Sequence, residues 1–326
     1  MKRNHCFARI FVLIPLFLLT CFVARQGDAA PMPAGADYIE GVVASANGPE
    51  AGVWVIAETK DLPTKFAKVV VTDDHGRYML PQMPDATYSV WVRGYGLVDS
   101  KHVTAKPGQK LNLTAVIAPD GKTAALVYPA NYWLSLLRVP PGKLSIDDAA
   151  GSVKECLVCH QIGDVATRTL PPATMKLGNF ASSLEAWDRR TKSGPIGANM
   201  SANYYKIGDQ RKMFADWTDR IAAGDYPTEA PPRPKGIERN VVLTLWDWGT
   251  ANSYMHDEAA SDLRNPTVNA NGNVYGVVAS SNIIAVLDPN KNTASQVEIP
   301  TKAEPAGSMN MPSPYWGDEN IWFSTA

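Results

Sequence analysis

Cys156, Cys159 and His160 place two thiols three residues apart, with an imidazole directly after the second, in the stretch ECLVCHQIGD from 155 to 164. Four chemistries use such a set: a disulfide, a zinc site, a redox-active thiol pair, and a covalently attached haem. A disulfide across so small a loop stabilises little. A thioredoxin-type pair needs a strand-helix-strand setting, and no parallel strand is expected ahead of Glu155. A structural zinc site needs four ligands, but there is no second cysteine pair, and His75, His102 and His256 are scattered over different segments. C-x-x-C-H is the attachment signature of c-type haem, in which each thiol forms a thioether with a vinyl group and the adjacent imidazole ligates the iron. By composition alone, the pattern arises roughly once in a thousand chains of this kind.

The N-terminus bears on how many cysteines are in play. Residues 1–29 combine a basic start, an apolar run from Ile10 to Val23 and small residues near Ala29, which together read as an export signal cleaved after Ala29. The apolar run is shorter than the about 20 residues needed to cross a bilayer, so no integral membrane span is expected after cleavage. Cys21 offers the alternative of a lipoprotein-type cleavage. Removal of 1–29 takes away Cys6 and Cys21, so the mature cysteines are Cys156 and Cys159, and the motif uses both. It also removes Lys2, Arg3, Arg9, Arg25 and Asp28, so 31 basic and 32 acidic residues become 27 and 31, a balance of −4. A mildly acidic chain without a basic tract argues against a nucleic-acid partner. The expected location is periplasmic or secreted, the kind of compartment in which haem is attached to such motifs.

The elements that must position these residues change character along the chain. From Tyr38 to about Pro119, short β-branched or alternating runs are separated by turn signals at Asn47-Gly48-Pro49, Asp74-His75-Gly76 and Pro107-Gly108. They predict a small antiparallel β-sandwich. The order of signals, ending in TDDHGRYMLPQMPDATYSVWVRGYG, resembles the carboxypeptidase regulatory-like domain, a transthyretin-type sandwich related to carbohydrate-binding folds, over residues 36–120. That resemblance implies a structural or docking module, with carbohydrate or partner binding as the alternative. Residues 121–150 read as a linker broken at Pro140-Pro141-Gly142.

From Gly151 to about Thr250 the period becomes helical, most clearly in SLEAWDRRTK and in DQRKMFADWTDRIAAG, where Met213, Phe214, Trp217 and Ile221 form one stripe and Gly224 is the stop. YPTEAPPRPKG is a proline-rich strap expected to lie across the surface. With its attachment motif, the 151–250 segment resembles a class I cytochrome c over about residues 150–225. The resemblance implies an all-α haem domain with a methionine loop, and Met200 takes that place, although Ser201 follows it where the family usually has proline. A soft thioether opposite His160 suits electron transfer. Met200 is the first choice, Met213 and Met175 the alternatives. Trp217 either lies against the haem or fills the core.

After Tyr254 strands return, with turns at Asn271-Gly272 and Asp288-Pro289-Asn290, and PSPYWGDENIWFSTA from Pro312 begins a similar unit. Four-stranded units repeating at about 40 to 50 residues mark β-propellers. The 254–326 segment resembles the streptogramin lyase (virginiamycin B lyase) and gluconolactonase-like propellers, and reads as the first blades of a truncated propeller, since closure takes at least about four blades. The resemblance implies acidic and histidine side chains near the propeller axis, for a divalent metal in the full-length propeller or for acid/base work. His256, beside Asp257, Glu258 and Asp262, is the catalytic candidate, and a solvated acidic loop is the plainer reading. Trp246 and Trp248 are expected at a seam between haem domain and propeller.

The expected whole is a multidomain α and β protein: an N-terminal antiparallel β-sandwich, a central all-α cytochrome c-like domain and a partial C-terminal β-propeller. Its expected role is electron transfer with one covalent haem c, tethered by Cys156 and Cys159 and ligated by His160 and Met200, and with a redox partner protein. The alternatives are a lyase or lactone hydrolase with an accessory haem, and a carbohydrate-binding or small-molecule-binding envelope protein.

Overall fold

The computed structural model describes residues 37–157, 160–170, 178–192, 197–249, 255–278 and 282–300. The expected leader, Cys159, Met175 and the expected second strand unit from Pro312 lie outside the described residues. Within them the fold mixes α and β, and its sheets, almost wholly antiparallel, stay open rather than closing into a barrel.

Strands β1 (Ile39–Ser45), β2 (Gly48–Pro49) and β5 (Arg77–Leu80) form one sheet, with β9 (Leu113–Thr114) on the other side of β1. A second sheet contains β4 (Phe66–Val71), β3 (Trp54–Thr59), β6 (Tyr88–Arg93) and β8 (Val103–Ala105), while β7 (Leu97–Val98) pairs with β10 (Val116–Ile117). Alternation decides which side chains go inside: Ile39 and Val43 from β1, Tyr78 and Leu80 from β5, Val53 and Val55, and Val90 and Val92 meet in one buried cluster. One pairing departs from the expected all-antiparallel arrangement. β9 runs parallel to β1, with Val43 opposite Leu113, because β8 belongs to the other sheet and the crossing from it returns the chain in β1's own direction.

The segment expected as a linker is partly helical. It contains α1 (Gly121–Ala125) and α2 (Ala130–Leu134), and Trp133 is buried with its indole N–H donating to the Ala125 carbonyl at 3.0 Å. Next come α3 (Ile146–Cys156), α4 (Val165–Arg168), α5 (Ser183–Arg190), α6 (Gly197–Lys206) and α7 (Lys212–Ala223). The two clearest sequence-predicted helices are α5 and α7. Met213, Phe214 and Trp217 are buried along α7, which ends at Gly224 with φ of 118°. Only glycine takes that left-handed stop without strain.

The proline strap then crosses back to the sheets: Arg233 Nε donates to the Tyr95 carbonyl at 2.9 Å and its Nη1 meets Glu50 Oε2 at 2.5 Å. Beyond it, β11 (Leu243–Trp246) adds antiparallel to the edge of β4, making a five-stranded sheet ordered β11-β4-β3-β6-β8. The last sheet is an antiparallel meander of β12 (Met255–Ala259), β13 (Val274–Val278), β14 (Ile283–Asp288) and β15 (Thr293–Glu298). Asp288 makes its final turn by accepting from the amides of Asn290 and Lys291 at 3.0 and 3.1 Å.

Candidate functional site around the thiol-imidazole segment

Helix α3 starts at Ser145, whose hydroxyl accepts from the Asp148 amide at 3.1 Å, satisfying one of the N–H groups that a helix start leaves unpaired. Ala149, Ser152 and Val153 are its buried residues, and Cys156, its last residue, continues that stripe about one turn further on. Cys156 is therefore half-buried against a cluster that includes Val153, Ile162, Trp187, Tyr204 and Phe214. The chain turns at once, with the His160 amide donating to the Cys156 carbonyl at 3.1 Å, so the helix end and the imidazole are tied together.

The loop after His160 is clamped on two sides. Gly163, at φ of 114°, lies so close to α2 that a Cβ there would stand 1.9 Å from the Ala130 carbonyl oxygen. Arg168 Nη1 donates to the Gly163 carbonyl at 2.9 Å, and its guanidinium lies 3.9 Å over the Trp133 ring. Asp164 caps α4, accepting from the Thr167 amide at 2.7 Å. Burial pushes the His160 imidazole below its ordinary value of 6.5, the charge of Arg190 adds to this, and Asp164 opposes it. At neutral pH the ring is neutral, the form in which a ring nitrogen can bind a metal.

Met200 lies in α6 and not in a loop, a correction to the expectation. Without a proline after it, the run from Gly197 to Lys206 meets no helix breaker, and Ser201 anchors it by donating to the Thr191 carbonyl at 3.1 Å. Helix α6 packs against α3, and Met200 is half-buried. Tyr204 stands one turn further along the same face of α6. It is 3% exposed, and its hydroxyl has no hydrogen-bond partner among the described residues. Burial, joined by the charge and hydrogen bonding of the nearby Asp188 carboxylate, pushes the phenol well above its ordinary pKa; the same carboxylate also accepts from Arg211 Nε at 3.1 Å.

As a donor set these residues fit a covalently held haem in kind: a thiol at a helix end, a neutral imidazole beside it, and a thioether on the helix packed against it. Apolar side chains lie against Cys156, and the buried Tyr204 hydroxyl belongs to the same cluster. Among the described residues, no group of three or more His, Cys, Asp and Glu could hold a metal ion. Met213 is buried in the same cluster. Trp217 fills the core, fully buried, its indole N–H donating to the Trp133 carbonyl at 3.0 Å.

His256 belongs to a different part of the fold, on β12 opposite Val277, where β12 pairs with β13. Nearby, Asp262 accepts from the Arg264 amide at 2.7 Å, which makes it part of the loop's own turn. Trp246 and Trp248 form a seam, but not the expected one. Trp246 packs edge-on against Phe66 and donates to Asn292 Oδ1 at 2.8 Å, while Trp248 closes on Gly276, so they join the first sheets to the last. Local periodicity places such tryptophans on one side of a strand and does not say which sheet that strand joins. Tyr204 and Gly163 escaped the sequence reading. The spacing of Tyr204 four residues after Met200 was the available signal for the first; for the second there was none beyond glycine itself.

No family model matches the chain, and no curated protein matches it. Among solved structures, it is similar to a chain of a type II cohesin-X-dockerin complex from Acetivibrio cellulolyticus, at 13% identity and a TM-score of 0.21, over 34% of this chain and 78% of that one. That likeness bears on no part of the site. None of the helices among the described residues is long and apolar enough to cross a membrane.

Proposed function

We propose that this chain is an exported c-type cytochrome that passes single electrons to or from a redox partner protein. What supports the reading is the C-x-x-C-H motif in the sequence, together with Cys156 at the end of α3 against the apolar cluster and the His160 amide tied back to the Cys156 carbonyl at 3.1 Å. Cys156 and Cys159 would hold the haem as thioethers, with His160 and Met200 on the iron. A bound haem of this kind supplies a one-electron iron couple whose potential a Met/His pair raises. The chain's own residues do the rest. The Trp187–Phe214 side of the cluster excludes water, Gly163 and Arg168 fix the loop that carries His160, and Tyr204 would supply a buried hydroxyl beside the site.

In the same reading, residues 36–120 are a transthyretin-type docking sandwich, the helices from 151 onward form the cytochrome c-like domain, and the last sheet is a propeller-type blade that serves a partner or substrate. The test is a visible spectrum of the chain matured in a host able to attach haem. A sharp reduced α-band that survives acid-acetone extraction is expected, with loss of covalent attachment in Cys156→Ala/Cys159→Ala and a weak-field shift in Met200→Ala. Colourless protein, or zinc bound in place of iron, defeats the reading.

A further inference from the structure

A groove of 310 Å³ opens between the outer face of β3 and β4 and the segment that returns from the helices, lined among others by Trp54, Tyr95, Pro232, Pro234, Glu238 and Leu243. Neither part of the chain makes it alone. Arg233 ties the strap to Tyr95 and Glu50, and β11 ties the following residues to β4, so two separate anchors hold the returning wall in place. The volume is at the small end of those that hold small molecules, about 300 to 1,000 Å³.

The chemistry of the wall is selective. Trp54 and Tyr95 stand 4.9 Å apart between ring centroids at 80° to each other, an edge-to-face pair in which one ring's edge lies on the other's face, so that the groove meets an angled aromatic surface and not a flat platform. Their π faces carry negative potential, which attracts a cation even where, as here, the rings are only half-buried and the acidic side chain is exposed. Glu238 is the one charged residue of the lining. The arginines beside it are already committed: Arg233 to Glu50 at 2.5 Å, and Arg239 to Asp74. A sugar would need several hydrogen-bonding side chains, and apart from Glu238 and the rims of the two rings this wall offers only apolar ones.

We infer that this groove binds a small organic cation of the quaternary-ammonium type, its methyl groups against Trp54 and Tyr95 and its charge facing Glu238. The site is independent of the haem reading. It stands or falls on the full chain with or without a cofactor.

The experiment titrates the full chain with choline, with its uncharged carbon isostere 3,3-dimethyl-1-butanol, and with methyl glucoside, following heat and tryptophan fluorescence. Choline is expected to bind at least about tenfold more tightly than the isostere, the factor that a partly desolvated cation-π contact and one carboxylate supply. Glu238→Gln keeps an acceptor for the Lys235 amide, which Glu238 Oε2 engages at 2.9 Å, so the local turn is preserved. In that variant choline is expected to weaken about five-fold while the isostere is unchanged. Equal binding of choline and isostere, tighter binding of the glucoside, or no choline binding up to about 20 mM overturns the inference.

Discussion

Cys156 is one turn beyond Val153 on the buried face of α3, so its thiol faces apolar side chains, while His160 is tied back to it and burial lowers the pKa of its ring. Two neighbours make this arrangement testable. Gly163→Ala puts a methyl group into the Ala130 carbonyl at a left-handed backbone, and a loss of about 2 to 4 kcal/mol is expected in denaturant unfolding, well beyond an ordinary glycine change. Tyr204→Phe removes a buried hydroxyl that makes no hydrogen bond of good geometry, although the Asp188 carboxylate lies near it. In haem-free protein this change is expected to stabilise by about 1 to 2 kcal/mol, since an unsatisfied buried polar group costs that much. In haem-loaded protein the gain is expected to vanish, and the reduction potential to move. Equal effects in both forms would mean that the hydroxyl has no cofactor to serve.

At the level of elements, the turn between β4 and β5 carries a pH dependence of its own. Burial of Asp73 works to raise its pKa, but the amides of Arg77 and His75 and the Arg77 side chain outweigh this and hold the carboxyl below its ordinary 3.8. An acid whose folded pKa is depressed contributes stability that is present above 3.8 and lost as pH falls through the lower folded value. Thermal midpoints measured downward from about pH 6 are therefore expected to drop more steeply in the wild type than in Asp73→Asn. Matching slopes would leave the turn without this role. The neighbouring Gly76, at φ of 70° and with the Val43 carbonyl 2.4 Å from where a Cβ would be, is the residue that lets the turn close so tightly.

For the molecule as a whole, the return of the chain at β11 is the main structural event. Leu243 to Trp246 pairs with Val69 to Phe66, and Trp246 goes on to hold Asn292 in the last sheet. A chain ended after Asn240 is expected to expose the β4 edge, to melt at lower temperature and to self-associate on size exclusion, because an unpaired edge strand is a template for another chain. It also loses Leu243 from the groove wall, so choline binding should fall along with the melting temperature. If that shortened chain stays monomeric and keeps its melting point, β11 is only a tether.

The thiol-imidazole segment, the alternating strands up to Pro119 and the stripe of α7 were all readable from residue order, since each is a local pattern: a fixed spacing, a period of two, or a helical period closed by Gly224. The Asx and glycine turns were readable for the same reason. Three-dimensional packing was needed for the rest. Leu243 pairs with Val69 far back in the chain, β9 runs parallel to β1, Trp133 in a presumed linker becomes core, and Met200 sits in a helix against α3. Each of these depends on which distant surface is left uncovered once the local elements have formed. That is a matter of buried area and pairing between remote segments, and no period within the sequence encodes it.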